Sequence, residues 1–351
     1  MFKRILLGLL LVLFNAYAMS DVYAKAPQKD MPVAGDKIKI KALLLPKFEV
    51  GALAGDFPGE AQEYYEAYFK QAQSYDIKGG LPGHKLYVNK DGLAMYITGM
   101  GKLNSGLSAL SILMDPRFDF SKAYVLSIGC AGSAIEYTTM GEVVIGSTVV
   151  NYDMGHHVDV RELKNKEQRV AWYPDKDFYK EGYKKLNPEL VQKTYGLVQN
   201  VKLKTTPITR RVMAKNFAKA NWAVRDPKVL RGTIVTGDNY WKGLHDHNKT
   251  MAQCQTYGAP DPFAITEMED FAIAAACERM QMLDRYLAIR VSVNTDVFMN
   301  GASPETLWDD TFIEKIKRSD SGETADIFAT AMKNHFAVGK VLIENIIKGK
   351  L

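Results

Sequence analysis

The sequence predicts an α/β fold in which buried strands alternate with helices. Two observations carry that expectation. Short aliphatic and β-branched runs at 38–45, 123–128, 143–152, 229–236 and 286–293 recur between stretches whose apolar residues fall at helical spacing. Those runs are apolar almost throughout, as in strands covered on both faces, and each ends in small or polar residues. In such sheets, ligands gather beyond the carboxyl ends of the strands.

At 351 residues, 47% hydrophobic and 24% charged, the chain has material for a large core. No Pro/Gly/Ser-rich linker and no low-complexity run divides it, so a single domain over 37–351 is expected. The net charge of +5 is mild, and the lysines of 164–185 are interleaved with acids. That pattern is a solvated face, and nucleic acid is not an expected partner. At the start, Lys3 and Arg4 precede an apolar run over 5–14, then Ala16-Tyr17-Ala18 and Val22-Tyr23-Ala24 offer small-x-small sites. This is the layout of a secretory signal peptide over 1–24, cleaved after Ala18 or Ala24, and it predicts a periplasmic or secreted protein. The run is too short for a comfortable span, and nothing later approaches ~20 consecutive apolar residues, so no stable membrane span is expected after cleavage. Cys130, Cys254 and Cys277 cannot all pair, and Cys130 and Cys277 lie in core segments. No disulfide framework is expected, even in an oxidising space.

Residues 38–45 read as the first strand, with Pro46 to Glu49 at its carboxyl end, which makes Glu49 a candidate functional carboxylate. Residues 60–73 read as a helix with an aromatic face, and 85–98 as a hairpin about Asp91-Gly92. Thr98-Gly99-Met100-Gly101 ends a strand and leads into a helix over 107–114. Such a turn exposes backbone N–H groups at a positive helix end and suits an anion or a polar ligand atom. Its spacing matches neither the Rossmann nor the Walker pattern. The strand at 123–128 ends in Gly129-Cys130-Ala131-Gly132-Ser133, small residues that let backbone approach a ligand closely. With no base identifiable beside it, Cys130 reads as a small buried residue and not as a nucleophile.

After the strand at 143–152 come Asp153, His156, His157 and Asp159. Adjacent histidines point different ways on an extended chain, and no HExxH-like or Cys-rich spacing supports a metal, so none is expected. Residues 161–187 read as a surface excursion, 188–195 and 211–222 as helices. The strand at 229–236 ends in Gly237-Asp238-Asn239-Tyr240-Trp241, which suits a heteroaromatic ring: hydrogen bonds from Asp238, stacking from Tyr240 or Trp241. His245-Asp246-His247 reads as loop and 248–257 as a helix.

The stretch 264–296 organises the rest. Its first half has helical spacing, with Thr266 and Glu269 as a capping-box-like pair, and its second half is the buried strand at 286–293. That strand's carboxyl end carries Asn294 and Asp296, and the helix start carries Glu267, Met268, Glu269 and Asp270. A carboxylate beside a methionine suits a sugar, accepting from its hydroxyls while the thioether packs on the ring. Residues 323–347 form an amphipathic helix expected to pack on the sheet.

In their joint order, TGMGKLNSG (98–106), SIGCAGSA (127–134), MGEVVIGSTVVNYD (140–153), TGDNYW (236–241), EMED (267–270) and RVSVNTD (290–296) resemble the nucleoside phosphorylase/nucleosidase superfamily. Within it the closer match is the purine nucleoside permease family. The pieces span most of the chain after Asp36, and their order is specific where no single piece is. The resemblance implies a three-layer α/β/α domain with a twisted central mixed sheet, in a homo-oligomer, with purine nucleosides as ligands and no cofactor. It implies that Met268 and Glu269 hold the ribose. It implies that Asn294, with Asp296 as competitor, meets purine N7, and that Glu49 is the carboxylate that activates water in hydrolytic members. Gly99, Gly101, Gly129 and Cys130 would line the nucleophile side of the sugar.

Breaking an N-glycosidic bond builds positive charge on the ribose and negative charge on the departing base. A nearby carboxylate favours the first, and a donor at N7 relieves the second. In phosphorylases the nucleophile is phosphate, a co-substrate. The arginines that bacterial hexameric phosphorylases offer to phosphate are absent from 125–127 and from the first-strand turn, and Cys130 replaces a frequent Ser. Both departures point to water as the nucleophile or to binding without phosphorolysis. The expected function is an exported purine nucleosidase, favoured over a nucleoside phosphorylase, that frees base for uptake and salvage. The alternative is a non-catalytic nucleoside-binding component of transport. A chain without spans forms no pathway across a bilayer, so either role calls for a separate inner-membrane carrier.

Overall fold

The computed structural model describes residues 36–165, 172–174, 179–216, 224–298 and 323–351. The expected signal peptide and the end of the expected helix at 211–222 lie outside the described residues. Ten strands make one mixed sheet: β1 (Ala42–Leu45), β2 (Gln73–Asp76), β3 (Lys85–Val88), β4 (Leu93–Met95), β5 (Tyr124–Ser133), β6 (Val143–Asn151), β7 (Tyr183–Lys185), β8 (Val229–Thr236), β9 (Phe263–Glu267) and β10 (Tyr286–Thr295). Its order is β7-β6-β8-β9-β5-β1-β4-β3-β2. Strand β10 stands apart from that row, pairing in parallel with β5 and antiparallel with β6. Because β9 also pairs with β5, the strands β5, β10, β6, β8 and β9 close a ring, and β1 to β4 extend from it as an open wing.

The ring explains the unbroken apolar runs. A strand with neighbours on both edges and cover on both faces has no wet side, so β6 is buried from Val143 to Val150 and β10 from Tyr286 to Ser292. Helices complete the α/β/α layering: α1 (Gln62–Tyr64, continued as a π turn over Tyr65–Phe69), α2 (Lys102–Leu113), α3 (Pro188–Val198), α4 (Pro207–Asn216), α5 (Leu244–Thr256), α6 (Asp270–Arg279) and α7 (Glu323–Ile347). Helix α6 packs on α2, β6 and β8, while α7 packs on β10, β5 and α3. Asn187 caps α3 by accepting from the amides of Glu189 and Leu190, with Pro188 at the first helical position.

Several expected boundaries move. Residues 38–45 break into a short Ile38–Lys39 pairing with Phe118–Asp119 and β1 proper. The expected helix at 60–73 ends early, and Gln73–Asp76 joins the wing as β2. Phe263–Glu267 is a strand rather than the start of a helix, so the Thr266–Glu269 capping box does not form. The Glu267 carboxylate takes over, accepting from the Glu269 and Asp270 amides at 2.6 and 2.8 Å. Gly129 to Ser133 continue β5 rather than turning, and His245-Asp246-His247 lie in α5 rather than in a loop.

Candidate functional site

A cavity of about 570 Å³ opens at the carboxyl ends of β1, β5, β8, β9 and β10. Each strand delivers side chains to it: Lys47 and Phe48 after β1, Cys130 to Gly132 on β5, Asn239 to Lys242 after β8, Thr266 to Glu269 at β9, and Val293 to Asp296 at β10. Glu60 enters from the turn ahead of α1, and Phe328 from α7. The volume is that of a small-molecule site.

Its floor is ionic. Arg290 on β10, 1% exposed, meets Glu267 at 2.8 Å, Glu269 at 3.2 Å and Asp270 at 3.0 Å. One cation among three carboxylates leaves protons to be shared. Burial, and then the charge of Asp270, pushes Glu267 up to about 8. Burial opposes ionisation of Asp270 too, but Arg290 and Lys47 hold it below its ordinary value. Lys47 is 2% exposed, and its ammonium donates to Leu45 O at 2.7 Å, Ser127 Oγ at 2.6 Å and Ile128 O at 3.0 Å. Three donors meet three acceptors. Burial, with Arg290 nearby, lowers Lys47 to about 8.

Glu60 is the carboxylate that sequence reading missed. It is 4% exposed and accepts from the Lys47 amide at 2.6 Å and the Cys130 amide at 2.7 Å, one on each oxygen. Burial raises its pKa, with Lys47 and Arg290 opposing. A Cβ at Gly129 would collide with this carboxylate, which is why the strand carries glycine there. The residue lies in a turn ahead of a helix, with no motif to mark it; its only signal was its place shortly after the first strand.

Glu49, the expected water-activating group, does something else. Its oxygens accept from the amides of Val50, Gly59, Ala61 and Gln62, so it fixes the turn that aims Glu60 and does not line the cavity. The glycine turn is likewise occupied. The Gly101 amide donates to Glu269 Oε1 at 2.9 Å and the Lys102 amide to Asp238 Oδ1 at 2.8 Å, so protein carboxylates hold the N–H groups expected to face an anion. Gly99 and Gly101 serve the turn through positive φ of 81° and 84°. Asp238 therefore points at α2 and is absent from the lining, a correction to its expected role at a ring. Gly129 contributes space for Glu60 and does not line the cavity, while Cys130 does. Burial, then the Glu60 charge, pushes the Cys130 thiol well up, which disfavours a thiolate.

Met268, Glu269, Tyr240, Trp241, Asn294 and Asp296 all line the cavity. A bulge makes this possible at β10: Ser292 pairs with Ala131 and Asn294 with Gly132, leaving Val293 over. Asn294 then lies across Gly132, where a Cβ would stand 2.8 Å from its Oδ1, and it donates to Tyr240 Oη at 3.2 Å. Trp241 stacks on Tyr152 at 5.4 Å, and its buried Nε1 has no partner among the described residues. Phe48 and Phe328 add an apolar wall. Among the described residues no group of three His, Cys, Asp or Glu comes together that could hold a metal, and all three cysteines are free.

This ring-closed sheet with its strand-end cavity is a nucleoside phosphorylase/nucleosidase-type fold. It superposes on 5′-methylthioadenosine/S-adenosylhomocysteine nucleosidase from Neisseria meningitidis in complex with methylthio-immucillin-A, with a TM-score of 0.50 at 15% identity, over 87% of this chain and 100% of that one. The Helicobacter pylori enzyme of the same name gives 0.50 at 13% identity, over 88% and 99%. Residues 39–350 match the purine nucleoside permease family model, and the chain belongs to that family. A Schizosaccharomyces pombe protein named as a probable purine nucleoside permease is 24% identical over 270 residues, 71% of this chain and 74% of that one. The Candida albicans purine nucleoside permease is 25% identical over 197 residues, 52% of this chain and 48% of that one, so the match spans about half of that relative. A 5′-methylthioadenosine/S-adenosylhomocysteine nucleosidase from Anoxybacillus flavithermus is 26% identical over 185 residues, 53% and 61%.

Proposed function

We propose that the chain binds purine nucleosides in this cavity and hydrolyses their N-glycosidic bond. The observation that carries the reading is the pairing of Glu60 and Asn294 along β5. Glu60 is held at Cys130 and Asn294 at Gly132, two strand residues or about 7 Å apart, enough to admit a sugar carbon between a water and a leaving base. Glu60, with its raised pKa, draws the proton from water. Glu269 and Met268 take the ribose, Asn294 donates to N7, and Tyr240 and Trp241 flank the base.

Water is favoured over phosphate because the cations near Glu60 are occupied. Arg290 is held by three carboxylates and Lys47 by three acceptors. Lys242, the other basic residue of the lining, stands beside Asp296 at the opposite end of the set. A phosphate would meet the Glu60 charge with no free donor. No cofactor has a place in this reading.

The family name favours a second role, in nucleoside transport. No described helix is long and apolar enough to cross a membrane, so that role is one of binding, or of supplying base to a separate inner-membrane carrier from the periplasm. Self-association belongs to the same reading, and Leu103, Leu107 and Met114 expose an apolar stripe along α2 that would support it.

The deciding experiment incubates purified mature protein with adenosine, inosine and guanosine, with and without phosphate, and follows free base. Release without phosphate is expected. Release only with phosphate would replace water by phosphate, and binding without release would leave the transport role alone. Sedimentation of the same preparation reads the subunit count.

A further inference from the structure

At the end of the cavity assigned to the base, the carboxylates are spent and a cation is not. Asp296 is shut: its side chain is 0% exposed, Oδ1 accepts from the Ile135 amide at 3.3 Å and Oδ2 meets His247 Nδ1 at 2.6 Å. Asp238 accepts from the Lys102 amide, and Asp153 takes the Lys102 ammonium and the side-chain amide of Asn239. Lys242 lines the same end and is half-buried. The charge that acts on it is Asp296, whose two oxygens are already engaged.

Two ties fix the loop that carries Lys242. On one side of it Tyr240 Oη accepts from Asn294 at 3.2 Å, and on the other the Gly243 amide donates to Asp296 O at 2.8 Å. Gly243 makes its tie at a φ of 135°, a conformation open to glycine. The loop from Tyr240 to Gly243 is thus laced across the end of β10, with Lys242 between the ties.

We propose that Lys242 reads position 6 of the purine and selects 6-oxopurine nucleosides over adenosine. This rests on the nucleosidase reading above. An ammonium has three donors and no acceptor. A 6-oxopurine offers acceptors at N7 and O6 along one edge, which suits Asn294 and Lys242 together. Adenine sets an amino donor beside N7, and that donor would meet a cation while the nearby carboxylates are engaged elsewhere. The contact also strengthens along the reaction. Water bonds to C1′ as the C1′–N9 bond breaks, and the bond's electron pair passes to the base and spreads to O6, where a fixed positive charge stabilises it. No proton leaves Lys242: Glu60 takes one from the water and returns it to solvent, and the base gains one from solvent. Burial lowers the Lys242 pKa, with Asp296 opposing, so the ammonium gains from an acceptor that replaces lost water.

The test measures kcat/KM for inosine, adenosine and purine riboside, whose base carries no group at position 6, in wild type, Lys242→Met and Lys242→Gln. Wild type is expected to favour inosine over adenosine by about 100-fold, the scale of one good pair of hydrogen bonds to a base edge. Lys242→Met keeps the stem without the charge and is expected to lower the inosine-to-purine riboside ratio by a similar factor. Lys242→Gln, whose amide both donates and accepts, is expected to raise adenosine against inosine. Equal wild-type values for inosine and adenosine, or variants that change all three substrates alike or none, overturn the reading of position 6 and leave the nucleosidase reading standing. A wild type that cleaves none of the three overturns the nucleosidase reading, and equilibrium titration then decides the other. Tighter binding of inosine than of adenosine would support Lys242 as the selector, and equal binding would overturn it.

Discussion

At the scale of single residues, the site turns on which carboxylate is free. Glu49 and Glu60 lie eleven positions apart with similar burial. Four backbone amides hold Glu49, whereas Glu60 has two and borders the cavity. Glu60→Gln is expected to lower kcat by about 10²–10⁴-fold with nucleoside binding largely kept, the range for loss of a general base. Steady-state kinetics beside equilibrium titration checks it, and an unchanged kcat would remove Glu60 from the mechanism. Because burial raises the Glu60 pKa, the acid limb of the kcat profile should lie above the ordinary carboxylate value of about 4.3. A sequence cannot supply this distinction. It shows where carboxylates stand along a chain, but not which amides reach them.

At the scale of elements, β10 is where sequence and structure meet best and part most instructively. Its apolar run marked it as a buried strand, and Asn294 and Asp296 were legible as candidates because they follow that run. The bulge at Val293 was not legible, since it arises from pairing with β5. It breaks the strict alternation that would have kept Asn294 on the face of Ser292. Asn294 instead lies over Gly132, and Asp296 turns to His247. The strand 229–236 and the helix 323–347 coincide with the sequence reading because patterning alone decides them. The strand Phe263–Glu267 went unread because five residues feeding a helical run carry too little periodicity of their own. Gly132→Ala tests the fit: a Cβ 2.8 Å from Asn294 Oδ1 and 3.1 Å from Thr266 Cγ2 must displace one of them. The expected loss in kcat/KM is about 10²-fold, the cost of an ångström of misplacement, with little change in melting temperature. Wild-type kinetics in that variant would show that Asn294 does not need its present position.

At the scale of the whole molecule, a buried histidine ties α7 to the ring on which it packs. His335 Nε2 meets Ile289 O at 3.0 Å and its Nδ1 meets Tyr64 Oη at 2.9 Å, so β10, α7 and α1 share a single imidazole. Burial lowers its pKa to about 4. A histidine that stays neutral when folded but protonates near 6.5 when unfolded contributes full stability above about 6.5 and loses it as pH falls toward 4, by about 3 kcal/mol. Denaturant melts at pH 7 and pH 5 should therefore show a smaller acid loss for His335→Gln than for wild type. Equal losses would mean that the ring is already charged or is wet.

The ring itself has a consequence in time. Arg290 on β10 and Cys130 on β5 touch across 160 positions of chain, and β10 is the piece that joins β5 to β6. During synthesis those two strands must wait, edges unsatisfied, until more than a hundred further residues have emerged. Contacts of such sequence separation form late and slowly. The cavity can thus appear only after the last strand has wedged into place, and a chain that stops short of β10 holds most of the site's residues and none of its shape.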